Sequence, residues 1–224
     1  MLALSVLPQP VQSQVRLVDT AVLVVSSGST VIGREEYTLH RGQLSDAGAG
    51  FAGAGYTVSA SAYYPSSRSY ASAASVVTFR PDSQPASARM DLEGSGQPTT
   101  FVDFTARRIT VRHRTSAGES AGQYPRAGRI LIIDDSILSL LAMLPRADPG
   151  SVTLFYPRTG RSERASLSDH GIEQTVVDGD ERQLRHVTLG NGDQIRHMWY
   201  DTRGRLIKIE IPSANTIATR TSGR

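Results

Sequence analysis

Along most of this chain apolar and polar residues alternate with a period of two, in β-branched runs broken by Gly, Ser, Pro and Asp. That alternation predicts strands with one buried and one wet face. Arg16 to Ser26 and Thr30 to Arg41 flank Ser27-Gly28-Ser29, a hairpin signal, and Gly42 to Gly55 collapses to small residues and reads as a surface loop. Tyr56 to Tyr64 and Tyr70 to Arg80 flank Pro65 to Ser69, and Ala86 to Glu93, Thr99 to Phe104 and Arg108 to Thr115 follow across short turns. Ser116 to Arg129 reads as a turn-rich link. A second block holds strands at Val152 to Tyr156, Ser162 to Ser168, Ile172 to Val177, Arg182 to Leu189, Gln194 to Tyr200, Leu206 to Ile211 and Thr216 to Arg220. Short connections between consecutive strands mean antiparallel neighbours, so the pattern predicts a mainly β meander.

Ile132 to Leu144 breaks the pattern. Ile137, Leu138, Leu140, Leu141 and Leu144 recur at helical spacing, and Pro145 supplies a stop. The expected helix is Asp135 to Leu144, N-capped by Asp134 or Asp135, whose carboxylates also favour the positive end of the dipole. Ser136 and Ser139 alone interrupt its apolar circumference, so it must be largely buried. Its ten residues would reach about 15 Å, half of a bilayer core, which makes it a core or lid helix.

The last three predicted strands can be threaded. Asn191-Gly192 is the strongest two-residue hairpin signal. With those residues at the centre of the turn, His186 faces His197 and Leu184 faces Trp199. Asp201 to Gly204 suits a turn closed by glycine, which places Tyr200 near Leu206, Trp199 near Ile207, His197 near Ile209 and Arg196 near Glu210. One face then collects Leu184, Ile195, Trp199, Ile207, Ile209 and Ile211, and the other Arg196, Tyr200, Lys208 and Glu210. The first is expected to be the interior and the target of the helix.

Length and composition bound the rest. A chain of 224 residues with 39% hydrophobic and 20% charged residues is an ordinary globular chain. The expected organisation is a disordered N-terminus or signal remnant at residues 1–15, one domain over 16–220, and a tail at 221–224. The apolar patch Leu2 to Leu7, ahead of a Pro and Gln stretch, is similar to a secretory signal without its charged start. The 24 basic residues include a single lysine, Lys208, and give a net charge of +3 and a pI near 9.4. Arg107, Arg108, Arg112 and Arg114 form the densest cluster. In a strand, Arg108, Arg112 and Arg114 share the face opposite Ile109 and Val111, a solvated outer surface and a candidate contact for an acidic protein or anionic membrane. No nucleic-acid partner is expected, because the arginines lack a groove with stacking aromatics. The chain has no cysteine, which removes disulfides, thiolate metal sites and cysteine nucleophiles.

Chemistry has no visible address. There is no nucleophile elbow, zinc-protease helix, phosphate-binding loop or calcium loop. Gly48 to Gly53 matches the spaced glycines of dinucleotide sites, but a strand follows instead of a helix and no acidic residue lies about twenty positions on. His186 and His197 are adjacent in the threading, yet zinc needs at least a third protein ligand. No metal or cofactor is expected, and the pair reads as a polar spot in an apolar interior.

The segment from His197 to Leu206, HMWYDTRGRL, resembles the W-Y-D-x-x-G-R-L ending of groups of exported bacterial β-proteins of unknown function, which also carry a short leucine-rich central helix. The resemblance implies a long curved antiparallel sheet, a half-barrel or open barrel comparable in shape to periplasmic lipoprotein carriers, with the helix on its concave face. The resemblance carries no activity with it; the apolar helix facing the sheet and the Arg-rich outer strands lead to two expectations of function. The first is a monomeric, non-catalytic, exported protein that binds a hydrophobic, lipid-like ligand between helix and sheet, through Ile137, Leu140, Leu141, Leu144, Leu184, His186, His197, Trp199, Ile207 and Ile209; a cytoplasmic location is the alternative. The second is a structural or assembly protein with a packed interior and a partner surface at Arg108, Arg112 and Arg114.

Overall fold

A computed structural model describes residues 15–45, 52–65, 71–93 and 97–221. Residues 1–14, 46–51, 66–70, 94–96 and 222–224 lie outside them, and with them the readings of a signal remnant and of most of the tail. The first block holds β1 (Arg16–Ser27), β2 (Thr30–Ser45), β3 (Ala52–Tyr63), β4 (Ser72–Phe79), β5 (Pro85–Glu93), β6 (Thr99–Phe104), β7 (Arg108–Thr115) and β8 (Gly118–Pro125). After β9 (Ile130–Ile132) and a 3₁₀ helix (Leu138–Arg146) come β10 (Gly150–Tyr156), β11 (Arg161–Val177), β12 (Asp180–Asn191), β13 (Gln194–Tyr200), β14 (Leu206–Ile211) and β15 (Thr216–Arg220).

All of them form one 15-stranded sheet in the order β8-β7-β6-β5-β4-β3-β2-β1-β15-β14-β13-β12-β11-β10-β9. Two antiparallel meanders are joined where the first and last strands pair, Leu23 opposite Arg220 and Ser27 opposite Thr216. Arg220 locks this joint by donating to both carboxylate oxygens of buried Asp19, at 2.7 and 2.9 Å, and Tyr37 on β2 donates to the same carboxylate at 2.7 Å. The outermost strands, β8 and β9, are consecutive in the chain, so the short connection at 126–129 brings the two ends of the sheet together. There Tyr124 of β8 sits edge-on to Phe155 of β10, ring centroids 5.6 Å apart, and covers the turn at Gly160. Gly160 has a φ of +66° and a side chain on it would strike the Tyr124 ring. The result is the expected curved, open-barrel sheet with its core on one face.

Several expected boundaries shift. Part of the stretch expected as a small-residue loop is strand, because Gly42 to Ser45 pair with Ala52 to Gly55. The turn-rich link contains β8, whose exposed residues show no apolar alternation for the sequence to betray. Ile130 to Ile132 pair in parallel with Thr153 to Phe155, an exception to the meander. The strands expected at Ser162 and Ile172 are one strand, carried through by a bulge between Asp169 and Gly171.

The helix is 3₁₀ rather than α, begins three residues later and includes Pro145. Its cap does not come from Asp134 or Asp135. The Asp134 carboxylate accepts from Ser136 and from Arg158, at 2.7 Å, while Asp135 reaches across to Arg196. The first amides are taken instead by Glu35 of β2, whose two oxygens accept from Leu138 and Ser139 at 2.8 Å each. In a 3₁₀ helix Pro145 lacks the proton that would reach the Ala142 carbonyl, and the Arg146 guanidinium approaches that carbonyl at 3.4 Å instead.

Candidate functional site

Leu138 to Leu144 are all buried against the concave face. Between Leu140, Leu141, Met143 and Leu144 on the helix and Phe79, Leu131 and Ile133 around them, only about 10 Å³ stays open. That is at the limit of what one water needs, and all but Ser83 of the lining is apolar. The Tyr200 hydroxyl donates to the Leu141 carbonyl at 2.8 Å, tying the middle of the helix to β13. Glu35 ties its start, with no exposed surface. Burial pushes the Glu35 carboxyl up to about 7, assisted by the Asp134 charge and opposed by the hydrogen bonds from Ser139 and Leu138. The helix is therefore a bolted plug.

Space opens at the start of the plug. A pocket of about 480 Å³ lies where the chain enters the helix and β1, β2 and β14 meet the mouth of the sheet. Its floor is apolar, built from Val25, Ile32, Leu138 and Ile211, with Tyr64 alongside. The Tyr64 ring reaches this place because position 33 is glycine; a Cβ there would lie 2.3 Å from the ring. The rim is polar. Arg196 projects inward from β13, is only 6% exposed, and donates to Asp135 at 2.9 Å. Asp135 is its opposite in solvation, with 65% of its side chain exposed. Beside them the Arg161 guanidinium lies 3.8 Å from the centroid of the Tyr156 ring and bonds Glu163 at 2.9 Å, and the Tyr156 hydroxyl donates to Glu163 at 2.7 Å. Burial and that bond raise the Tyr156 pKa, so it stays a neutral donor. The arrangement joins an apolar cleft to two guanidiniums, one buried with an exposed counterion and one exposed beside a half-buried carboxylate.

The residues expected to line one ligand site fall on two faces. Ile137, Leu140, Leu141 and Leu144 join the main core with Ile209. Leu184, Trp199 and Ile207 form a separate cluster with Val177 on the opposite face, so the helix does not pack on them. Two local events overturn the threading. Gly192 and Asp193, not Asn191 and Gly192, are the turn, and only Gly192 has positive φ; the register moves by two, setting His186 opposite Trp199 and His197 opposite Thr188. Leu206 does face Tyr200, but a bulge after that pair inserts Ile207, so Trp199 faces Lys208 and His197 faces Glu210. From that bulge on, Tyr200, Met198 and Arg196 are the inward residues of β13.

On the opposite face His170, His186, Trp199 and Lys208 make a ladder across β11 to β14. Adjacent ring centroids are 4.8 Å apart, the spacing of the strands, and Lys208 Nζ lies 5.0 Å from the Trp199 ring. Glu173 accepts from Trp199 Nε1 at 2.8 Å and stands 3.1 Å from His186 Nδ1. His186 Nε2 and His197 Nδ1 are 3.0 Å apart with centroids at 5.2 Å, so the rings meet edge to edge and share a proton between them. Among the described residues no group of three or more His, Cys, Asp or Glu side chains is placed to hold a metal ion.

Arg108, Arg112 and Arg114 line up on the outer face of β7 as the alternation requires, each with its own partner. Arg112 pairs with Asp103 at 3.4 Å, Arg114 with Glu119 at 3.2 Å, and Arg108 donates to Gln123 at 3.2 Å. Sequence reasoning missed Glu35, Asp135, Tyr156, Arg161 and Arg196 as site residues. One signal was present: Glu35 has the same parity as the inward Tyr37 and Leu39, so its carboxylate had to enter the core.

No protein-family model matches the chain, and no curated protein matches it. Among solved structures, the chain is similar to a crystal structure of a β-barrel-like protein of a domain of unknown function, DUF1849, from Brucella abortus, with a TM-score of 0.48 and 9% identity over 91% of this chain and 95% of that one.

Proposed function

We propose that this protein is a non-catalytic binder of a hydrophobic, lipid-like ligand, held in the pocket at the start of the helix and not beneath the helix. The observation that carries this reading is the 480 Å³ apolar-floored pocket beside a helix whose underside retains only about 10 Å³. A volume of that order and a lining of apolar residues with a few convergent polar groups are what small-molecule sites share. The helix, fixed by Glu35 and Tyr200, serves as a wall of the site. An exported setting belongs to the same reading, since a carrier of apolar ligands works between membranes; fractionation of cells making the tagged protein tests it.

The structural or assembly reading draws on the tight packing along the helix, where only about 10 Å³ stays open. The two readings separate in one experiment. Binding of the neutral apolar dye N-phenyl-1-naphthylamine is measured for the wild type and for Ala214→Trp, which puts a large ring into the pocket from an exposed position. The ligand reading expects saturable dye binding that Ala214→Trp abolishes while the circular dichroism spectrum is unchanged. No dye binding by the wild type, together with no co-purifying lipid in native mass spectrometry, would leave the assembly reading.

A further inference from the structure

The ligand reading leaves the head group of the guest unspecified, and the rim of the pocket bears on it. Arg196 and Asp135 form an ion pair whose partners are solvated very unequally. The Arg196 side chain is 8% exposed and the Asp135 side chain 65% exposed, at 2.9 Å. A guanidinium removed from water needs a counterion and hydrogen-bond acceptors, whereas a carboxylate that is already wet loses little by swinging away. Asp135 lies in the turn leading into the helix, and both it and Arg196 line the pocket. The second guanidinium of the rim, Arg161, differs: its side chain is 54% exposed and that of its partner Glu163 33%, so of the two it is Arg196 that combines a buried guanidinium with a wet counterion.

Resting on the ligand reading above, we infer that the guest is an amphiphile with an anionic head group, and that Asp135 is an internal stand-in for that head group, displaced from Arg196 when the guest enters with its chain on Val25, Ile32 and Ile211. Exchange of one carboxylate for another keeps Arg196 neutralised throughout, so a fork-shaped donor meets a planar acceptor before and after. A neutral head group cannot take the place of Asp135 without competing with a charge. The pocket therefore discriminates by head group at the rim and by chain at the floor.

The test uses the full chain and displacement of N-phenyl-1-naphthylamine by hexadecanoate, hexadecyl phosphate, hexadecanol and acetate, each below its micelle concentration. Hexadecanoate or hexadecyl phosphate is expected to displace the dye better than hexadecanol, and acetate not at all, since it has a head and no chain. Asp135→Asn is expected to tighten the anionic amphiphile roughly tenfold, the gain that follows if Asp135 occupies the guanidinium about nine-tenths of the time, and to leave hexadecanol unmoved. Arg196→Lys, which keeps the charge and loses the fork, is expected to weaken the anion alone. Equal displacement by acid and alcohol, insensitive to Asp135→Asn, would overturn the head-group inference and leave the pocket reading standing. Displacement by acetate would assign the site to free anions. Absence of dye binding would bring down the pocket reading itself. Because Asp135 is a surface side chain, its substitution gives an answer even where a change at Arg196 prevents folding.

Discussion

The same three strands, β12 to β14, present two faces with opposite chemistry. Inward they show Val187, Leu189, Met198, Tyr200 and Ile209, all buried in the main core, with Arg196 at the mouth. Outward they show Leu184, His186, His197, Trp199 and Ile207, a small buried cluster merging into a ladder of rings. The largest aromatic side chain of the protein, Trp199, lies on the outer side, and an arginine lies on the inner one. Ring size and hydrophobicity do not decide which face of a sheet becomes the core; register does, and register here depends on one turn residue and one bulge.

If the inner face carries the stability, the largest effect comes from within it. Ile209→Ala is expected to cost about 2–5 kcal/mol in chemical denaturation, since Ile209 has no exposed surface and the space above it is packed. Next in size is a pH effect of opposite sign on the two faces. Glu35 titrates at about 7 in the folded protein against 4.5 as its ordinary value, so the folded state is favoured by its protonated form. Its contribution is fully present below about 4.5 and is lost as pH rises through about 7, on the order of 3 kcal/mol in all. Glu35→Gln should flatten that slope while losing one amide contact. His186 on the other face is held below its ordinary 6.5, chiefly by burial, so its contribution is present above 6.5 and is lost as pH falls. His186→Gln should remove that loss alone. Denaturation midpoints of the two variants between pH 4 and 8 check both signs; parallel profiles would show that neither group is buried as described.

Smaller changes probe the outer face. Trp199→Phe removes the donor to Glu173 and keeps most of the ring, for about 1 kcal/mol, and should raise the Glu173 pKa, which that hydrogen bond holds down. Changing Arg108, Arg112 and Arg114 together to Gln should cost less than about 1 kcal/mol, because their partners are at the surface. Salt-sensitive association of the wild type lost in this triple variant would support the partner surface. Analytical ultracentrifugation at two salt concentrations checks it.

Much of the strand layout was legible because alternation reports burial directly: β1, β6, β7, β13, β14 and β15 begin and end within a residue of where the pattern places them. Strands that alternation does not mark were not legible. In β8 Tyr124 is the one large apolar side chain that packs on the core, and Ile130 to Ile132 are buried on both faces. The buried apolar helix was legible as an apolar stretch, but its 3₁₀ geometry and its cap were not. Glu35 lies more than a hundred residues from the amides it holds, and Asp134 and Asp135 offered a local cap that nothing in the sequence opposed. The candidate pocket was the least legible part. Of the ten residues expected to share a site, five lie in the main core and the others in the Trp199 cluster or the ladder beside it.

By itself, then, the sequence determined a cysteine-free, mainly β chain of antiparallel neighbours with one apolar helix to bury, because each of these is a local property of composition and period. Tertiary structure alone decided that β1 meets β15, that Trp199 turns outward and Tyr200 inward, and that Arg196 and Asp135 meet at the mouth beside the helix. Each of these rests on a register or a closure, and a two-residue slip in one hairpin or one extra residue in a bulge reassigns side chains that the sequence leaves in place.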